Sequence, residues 1–309
     1  MFLRGGGAMK ILMTGGTGFV GGDLSRRLIS DGHEVTILTR GGREGPSVQG
    51  GPTFLKGDPT KEGPWQEAVA DHQVLINLAG TSIFGRWNEP YKRSLRESRL
   101  LTTRHLVDAI PTGASTVLVS ASGAGYYGFH GDEELDESSG PGQDFLATLA
   151  ADWEAEALKA AKKGTRVVIT RFGIVLGRGG GALQQMITPF KWFVGGPLGD
   201  GLQWFSWIHV GDLVEAISHL LAQPDASGPY NLTSPKPVQN RDFSRELGRV
   251  LGRPSWLPTP GFMMRLLLGD FGSVIVKGQR VLPKRLLDSG FTFRFPEVGE
   301  ALRDLLGSR

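Results

Sequence analysis

The sequence predicts an α/β chain, a doubly wound parallel sheet followed by a smaller C-terminal lobe. Three observations carry this reading. Short runs that are apolar on both faces alternate with segments of helical period up to about residue 180, as parallel strands covered on each side require. The first run leads straight into a glycine cluster, Thr14-Gly15-Gly16-Thr17-Gly18-Phe19-Val20-Gly21. Beyond Gly177 the alternation stops, and Gly, Pro and aromatic residues dominate.

Residues 1–8 read as a disordered lead-in, and Lys10 to Thr14 as the first strand. Phe19, Val20, Leu24, Leu28 and Ile29 follow with helical spacing as far as Ser30, where Asp31-Gly32 ends the helix. Strands follow at Val35 to Thr39, Thr53 to Lys56 and Val74 to Leu78. Tyr91 to Ala109 reads as a long amphipathic helix stopped by Pro111, and Thr116 to Ser120 as the fifth strand. A helix over Asp144 to Lys162 and a sixth strand over Arg166 to Thr170 complete the pattern. Residues 9–180 therefore form a nucleotide-binding domain to which later segments return. Residues 181–309 form a smaller lobe on the substrate side, with a C-terminal tail.

The 309 residues suffice for one large α/β domain with an added lobe. A net charge of +3 without any block of like charges gives no nucleic-acid footprint, so no nucleic-acid partner is expected. No apolar stretch reaches the length that crosses a bilayer, so no membrane partner is expected either. With no cysteine, thiolate nucleophiles, disulfides and Cys-based metal sites are excluded, which suits a cytoplasmic protein. The six histidines are scattered without ligand spacing, and no metal is expected.

The glycine cluster carries the chemistry. Gly15 permits a tight turn off the strand, Gly18 lets a pyrophosphate approach the helix N-terminus, and Gly21 lets helix and sheet pack closely. Its place between a strand and an amphipathic helix makes it a dinucleotide-binding, Rossmann-type turn. Thr17, Phe19 and Val20 complete the expected contacts there. Strand two chooses between cofactors: an NAD site puts an acid at its end for the ribose 2′-hydroxyl, whereas this chain has Thr39-Arg40, then Arg43, and no acid before Glu44. Arg40 can fork onto a 2′-phosphate and Thr39 can add a hydroxyl, so NADP(H) is the expected cofactor. Asp58, after the third strand, either meets the adenine amino group or caps a turn.

Further motifs carry a resemblance. Asn77-Leu78-Ala79-Gly80, Arg171-Phe172-Gly173-Ile174-Val175-Leu176-Gly177, Gly199-Asp200-Gly201-Leu202-Gln203 and Trp207-Ile208-His209-Val210-Gly211-Asp212 resemble the extended branch of the short-chain dehydrogenase/reductase superfamily. Gly125-Tyr126-Tyr127-Gly128, Asp152-Trp153-Glu154, Gly195-Gly196-Pro197-Leu198-Gly199 and the tail motif Gly278 to Pro283 narrow it to an atypical epimerase family. The resemblance spans nearly the whole chain from residue 9. It implies that Leu78, Ala79 and Gly80 pass under the adenosine half of the cofactor, and that Ser120 and Val175 line it. It also implies that Arg99 faces the cofactor phosphates; a helix-surface arginine in a salt bridge is the other reading. Substrates in this group are generally unassigned, and some members carry a cell-division-inhibitor name.

Typical members of the superfamily use a Tyr-x-x-x-Lys pair on the helix after strand five. There the lysine lowers the tyrosine pKa and the tyrosine passes a proton. This chain departs from the pattern, with Leu146 and Ala150 at those positions. Ser122, Tyr126 and Tyr127, just after strand five, remain as candidates for catalysis, or as pocket walls. His209 and Asp212 are a possible acid/base pair, but Asp212 as helix cap with His209 satisfying nearby backbone is the simpler reading. Trp87, Trp192, Trp204 and Trp207 are expected to line or buttress a pocket. The expected function is that of an NADP(H)-dependent oxidoreductase or epimerase-like protein acting on a small-molecule substrate. A non-catalytic NADP(H)-binding regulator is the alternative, and a homo-oligomer is compatible with either.

Overall fold

Ile11 and Met13 point to one side of the first strand and Leu12 to the other, and all three are buried, so both faces of the sheet need cover. The computed structural model, which describes residues 7–41, 45–46 and 50–307, supplies that cover. Seven strands run parallel: β1 (Lys10–Thr14), β2 (Glu34–Thr39), β3 (Thr53–Lys56), β4 (Val74–Asn77), β5 (Val117–Gly123), β6 (Arg166–Phe172) and β7 (Gly228–Leu232). Their order is β7-β6-β5-β4-β1-β2-β3, and the short segment Gly45–Pro46 adds an antiparallel edge to β3. The order reverses direction at β1, which opens a crevice at the carboxyl ends of β1 and β4.

Helices α1 (Phe19–Ser30), α2 (Glu89–Asp108) and α3 (Phe145–Leu158) follow β1, β4 and β5, and α4 (Gly181–Lys191) and α5 (Val210–Ala222) follow β6. Leu24 and Leu28 of α1 pack with Leu213, Ile217 and Leu220 of α5 on one face of the sheet. Leu106 and Val107 of α2 and Ala157 of α3 cover the other face. Each of the larger apolar side chains so buried contributes about 1.5–3 kcal/mol. Several boundaries differ from expectation, among them α3, which closes at Leu158, and β6, which runs on to Phe172. Helix α2 starts two residues early because the Asn88 side chain accepts from the Tyr91 amide and Pro90 fits the first turn. Strand β5 runs on to Gly123 because β6 keeps pairing with it that far.

The remaining chain forms the second lobe with α6 (Asn240–Leu251), α7 (Gly261–Leu268), α8 (Asp270–Ile275), α9 (Lys284–Asp288) and α10 (Val298–Leu306). Its core gathers Phe190 of α4, Phe243 and Leu247 of α6 and Leu302 of α10 around Trp207, which is fully buried. Residues 210–232 nonetheless belong to the sheet, through α5 and β7. Among the described residues no helix is long and apolar enough to cross a membrane. Nor is any group of three or more His, Cys, Asp or Glu residues placed to hold a metal ion. Residues 1–6 of the expected lead-in lie outside the described residues.

His209 satisfies nearby backbone as expected, but Asp212 is not the helix cap. His209 is the N-cap of α5, its Nδ1 accepting from the Gly211 amide at 2.9 Å. Asp212 accepts instead from the amides of Arg294 and Phe295, at 2.8 and 2.9 Å, and so pins the C-terminal tail. The Phe295 ring stacks on His209 with centroids 4.1 Å apart, and Asp304 of α10 lies 3.3 Å from the other ring nitrogen. Both groups are buried and committed, which speaks against an acid/base pair facing substrate.

Burial holds the His209 pKa below its ordinary value despite the pull of Asp212 and Asp304. The folded chain therefore keeps the ring neutral where the unfolded chain, with its histidine near ~6.5, takes up a proton. The stability this contributes is present above that pH and drains as pH falls below it, at up to about 1.4 kcal/mol per pH unit. His209→Asn keeps a capping side chain and removes the titration. Between about pH 7.5 and 5.5 the melting temperature of this variant is expected to fall less steeply than that of wild type. Equal slopes would show that the ring is not held neutral.

Candidate cofactor and active site

The turn after β1 is built on backbone contact. Gly15 has φ +72°, and a Cβ there would stand 2.7 Å from the Leu78 carbonyl carbon and 2.8 Å from the Ala79 nitrogen. The glycine turn thus rests directly on the loop that follows β4. A Cβ on Gly21 would collide with the Gly15 carbonyl oxygen, so the first turn of α1 lies against the same loop. Gly18 is the N-cap of α1 and no side chain caps the helix, which leaves its first-turn amides and positive end for an external anion. Thr17 and Gly18 are exposed at this end.

Phe19 and Val20 are turned elsewhere. The Phe19 ring packs against the glycines at 177, 180 and 181, and Val20 packs on the main core, so only their amides remain for a ligand. Val175, expected to line the cofactor, also packs on that core, on a short strand, Ile174–Gly177, paired with Trp207–His209.

At the end of β2, Thr39 Oγ1 donates to the Gly41 carbonyl at 2.8 Å, and Arg40 is exposed. Arg43 and Glu44 lie outside the described residues. Asp58 Oδ1 accepts from the Thr60 amide and hydroxyl, the turn-capping arrangement. Partial burial raises its pKa, but those bonds together with Arg40 and Lys61 outweigh burial and hold it below the ordinary value.

Arg99 meets Gly80: a Cβ on Gly80 would lie 3.0 Å from the guanidinium carbon. Arg99 Nη1 donates to the Leu95 carbonyl at 3.1 Å, and the group sits 5.3 Å from the centroid of the Trp153 ring. No carboxylate pairs with it among the described residues, so the salt-bridge reading falls. Burial alone brings its pKa down to about 10. A half-buried cation without an anion, beside the glycine turn, is an unmet charge.

Beneath these groups lies a polar knot. Thr14 Oγ1 donates to Asn77 Oδ1 at 2.7 Å, and Asn77 Nδ2 donates to Thr103 Oγ1 at 2.8 Å and to Ser120 Oγ at 3.4 Å. Trp153 Nε1 donates to the same Thr103 oxygen, which in turn donates to the Arg99 carbonyl. Ser120 is wholly buried in this knot, so its side chain braces β4 against β5 and does not face the crevice.

A second buried network takes in two of the three catalytic candidates. Arg171 on β6 forms a bidentate pair with Glu154 on α3, Nε to Oε1 and Nη2 to Oε2, each at 2.8 Å. Ser122 Oγ donates to Glu154 Oε1 at 2.7 Å, and Arg171 Nη1 donates to the Tyr127 hydroxyl at 2.9 Å. Tyr127 donates onward to Asn231 Oδ1 at 2.7 Å. Every member is at least nine-tenths buried, and Tyr127 is fully so. Burial pushes the Tyr127 pKa up to about 12, in spite of Arg171. Ser122 and Tyr127 are thus structural groups in this arrangement, which argues against the expectation that they bind or protonate substrate.

Tyr126 differs. Its ring lies 3.4 Å from the Arg171 guanidinium carbon and edge-on to Tyr127, but its hydroxyl has no partner among the described residues and the residue is only half-buried. Leu146 packs over Gly125, and Ala150 is buried in α3, so no tyrosine or lysine stands at those two positions. Of the four tryptophans, Trp87 and Trp207 are core residues, Trp204 donates to Asp132 at 2.7 Å, and Trp192 is 74% exposed. Sequence reasoning gave no role to Glu154 and Arg171, although both stood in the quoted motifs. A guanidinium at the end of an apolar strand, Arg171, was the available signal; Glu154 stands between Asp152 and Glu156 and gave none.

The NAD dependent epimerase/dehydratase family matches residues 11–233, and a domain of unknown function (DUF1731) matches residues 259–305. The chain is 42% identical over 302 residues to the chloroplastic SDR39U1 homolog of Arabidopsis thaliana, an epimerase family protein, covering 96% of this chain and 87% of that one. It is 41% identical over 305 residues to the epimerase family protein YfhF of Bacillus subtilis, covering 97% and 99%. Relatives thus occur in chloroplasts as well as bacteria. The human epimerase family protein SDR39U1, solved with NADPH, superposes with a TM-score of 0.85 at 35% identity, covering 96% of this chain and 99% of that one. MoeE5 in complex with UDP-glucuronic acid and NAD shares the fold, with a TM-score of 0.79 at 22% identity. With the strand order, the glycine turn and these matches in agreement, the chain belongs to the NAD dependent epimerase/dehydratase family, in its extended short-chain dehydrogenase/reductase form.

Proposed function

We propose that the chain binds NADP(H) and acts as an oxidoreductase or epimerase-like protein on a small carbonyl or hydroxyl compound. One observation carries the cofactor reading: two cations, Arg99 with no carboxylate partner among the described residues and the exposed Arg40, whose charge also acts on Asp58, flank the uncapped start of α1. The amides at Gly18 to Gly21 and Arg99 suit a pyrophosphate, and Arg40 with Thr39 suits a ribose 2′-phosphate. The NADPH bound by human SDR39U1 supports the same assignment. Bound there, the cofactor supplies hydride chemistry; the residues of this chain bind it and orient it. Of the tyrosines after β5, Tyr126 has the available hydroxyl and is the candidate to carry a proton to or from substrate.

The sealed Ser122–Glu154–Arg171–Tyr127 network favours a second reading, an NADP(H)-binding regulator without turnover. The two readings differ in substrate-dependent NADPH consumption, which the regulator lacks.

Titration with NADPH and NADH, followed by fluorescence, tests the cofactor assignment. Arg40→Ala is expected to weaken NADPH by roughly 10-fold or more and leave NADH unchanged, as loss of one charge-assisted contact predicts. Arg99→Met is expected to weaken both cofactors by a similar factor. Equal effects of Arg40→Ala on both would remove it from the 2′-phosphate site.

The tyrosines separate by stability and turnover. Tyr127→Phe strips a partner from buried Arg171 and Asn231 and is expected to cost about 1–3 kcal/mol in denaturant unfolding. Tyr126→Phe is expected to leave stability unchanged and lower kcat for any carbonyl compound that drives NADPH oxidation. Full turnover in Tyr126→Phe would take that residue out of the mechanism.

A further inference from the structure

The match to the domain of unknown function begins at residue 259, and the first two helices of that stretch, α7 and α8, cross from the second lobe to the Rossmann domain. The entry is fixed on the second lobe, where Gly199 donates to the Thr259 carbonyl and Thr259 to that of Pro197, each at 2.9 Å. The exit is fixed there too. A Cβ on Gly278 would stand 2.0 Å from the Trp204 carbonyl oxygen, and Gln279 pairs with His130. Between these anchors, the corner joining α7 to α8 reaches the loop that follows β4.

That loop, residues 78–88, is the one on which the glycine turn rests. Near its end the Trp87 amide donates to the Leu268 carbonyl at 3.1 Å, and Trp87 bridges to Gly269. The Phe271 ring stacks on the indole with centroids 5.2 Å apart, and Phe145 of α3 meets it edge-on at 5.4 Å. At the rim Lys92 of α2 pairs with Asp270 at 2.5 Å. Both Trp87 and Phe271 are buried. The indole in turn fastens the loop, because its Nε1 donates to the Ile83 carbonyl at 2.9 Å. Whatever holds the ring therefore holds the stretch from Ile83 to Trp87. From there the loop runs back to Gly80, against which Arg99 lies.

Two features show that corner and loop are fitted to each other. Gly269 has φ +63°, and a Cβ there would stand 2.6 Å from the Trp87 carbonyl oxygen, so no side chain fits between the two backbones. The second lies on α3. Leu146, at a position where typical members of the superfamily carry the tyrosine, packs with Phe145, Val274 and Ile275 against the cluster of Trp87, Leu149 and Phe271. The helix face that lacks the tyrosine is the seat of the corner.

We propose that the α7–α8 corner is a clamp on the cofactor loop, with Trp87 as the positioning residue through which it acts. The contacts carry the clamp; its effect on affinity rests on the NADP(H) reading. A loop that is correctly shaped for only a fraction of the time weakens binding by that fraction, and a clamp that keeps the shape removes the loss. Arg40 stands at the end of β2, outside this loop, so the clamp acts on NADPH and NADH alike.

Hydrogen exchange of the full chain, with NADPH and NADH titrations, provides the test. Gly269→Ala wedges a methyl group between corner and Trp87 and leaves every core side chain in place. Phe271→Leu keeps an apolar side chain and removes the stack. Both are expected to speed exchange of the amides of residues 80–88 by about 10-fold or more while β5 and β6 keep wild-type protection. Both are also expected to raise the two dissociation constants about 10-fold, with their ratio unchanged. Unchanged exchange of those amides in both variants would overturn the clamp, whatever the chain binds. So would wild-type NADPH affinity in variants whose loop exchanges faster, or protection lost evenly along the chain, the mark of a merely structural contact. A wild type that binds neither cofactor would overturn the cofactor reading and the effect on affinity with it, while the exchange comparison still decides the clamp.

Discussion

The Arg171–Glu154 pair sets the terms for everything at the carboxyl end of the sheet. Moving two full charges out of water costs several kcal/mol for each, and their attraction repays this only when every remaining donor and acceptor is used. Here they are used. Glu154 takes both prongs of the guanidinium and the Ser122 hydroxyl, while the third guanidinium nitrogen takes Tyr127. Tyr127 then needs an acceptor, found in Asn231 of β7, and Asn231 in turn donates to the Leu282 carbonyl in the tail. One buried charge pair thereby dictates the relative placement of β5, α3, β6, β7 and the C-terminal segment.

The other deeply placed arginine shows the opposite state. Arg171 has a carboxylate, a phenol and two ring faces around it; Arg99 has one backbone carbonyl and a tryptophan. Among the described residues no carboxylate pairs with Arg99, so an arriving anion would offset its desolvation. The contrast explains why pKa directions diverge for two residues of one type, upward where Glu154 outweighs burial and downward where burial outweighs the pull of Tyr91. A pyrophosphate is a group for which such a guanidinium would be useful, and Arg99 lies against Gly80, in the loop on which the glycine turn rests.

Local patterns made the sheet readable, and non-local pairing hid the rest. The first strand and α1 have the bounds expected from sequence because apolar period, glycine turn and the terminating Asp31-Gly32 are all encoded within a few residues. The acid-free end of β2 was legible for the same reason. The surroundings of Tyr127 and Ser122 were not legible because their partners are distant in sequence: Arg171 and Asn231 arrive 44 and 104 residues after Tyr127, and Glu154 arrives 32 residues after Ser122. Asp212 was expected at the helix cap and is drawn instead to the amides of Arg294 and Phe295, which come from the far end of the chain. A polar side chain has several partners open to it, and sequence spacing cannot say which one the fold brings within 3 Å.

The tail and the altered active-site helix are best understood together. A tyrosine that moves protons must touch both substrate and solvent, so it cannot be walled in. With Leu146 and Ala150 on α3, no such group needs access there, and the space after β5 can be closed over. The C-terminal segment does the closing: Leu282 accepts from Asn231, the Val281 carbonyl accepts from Thr233, and Gln279 pairs beside His130 on a small separate sheet. Tyr126, half-buried against the cluster of Tyr127 and Val281, keeps a hydroxyl without a hydrogen-bond partner among the described residues. Its ring rests on the buried guanidinium, so the same charge pair that sealed Tyr127 away also fixes where the remaining hydroxyl stands.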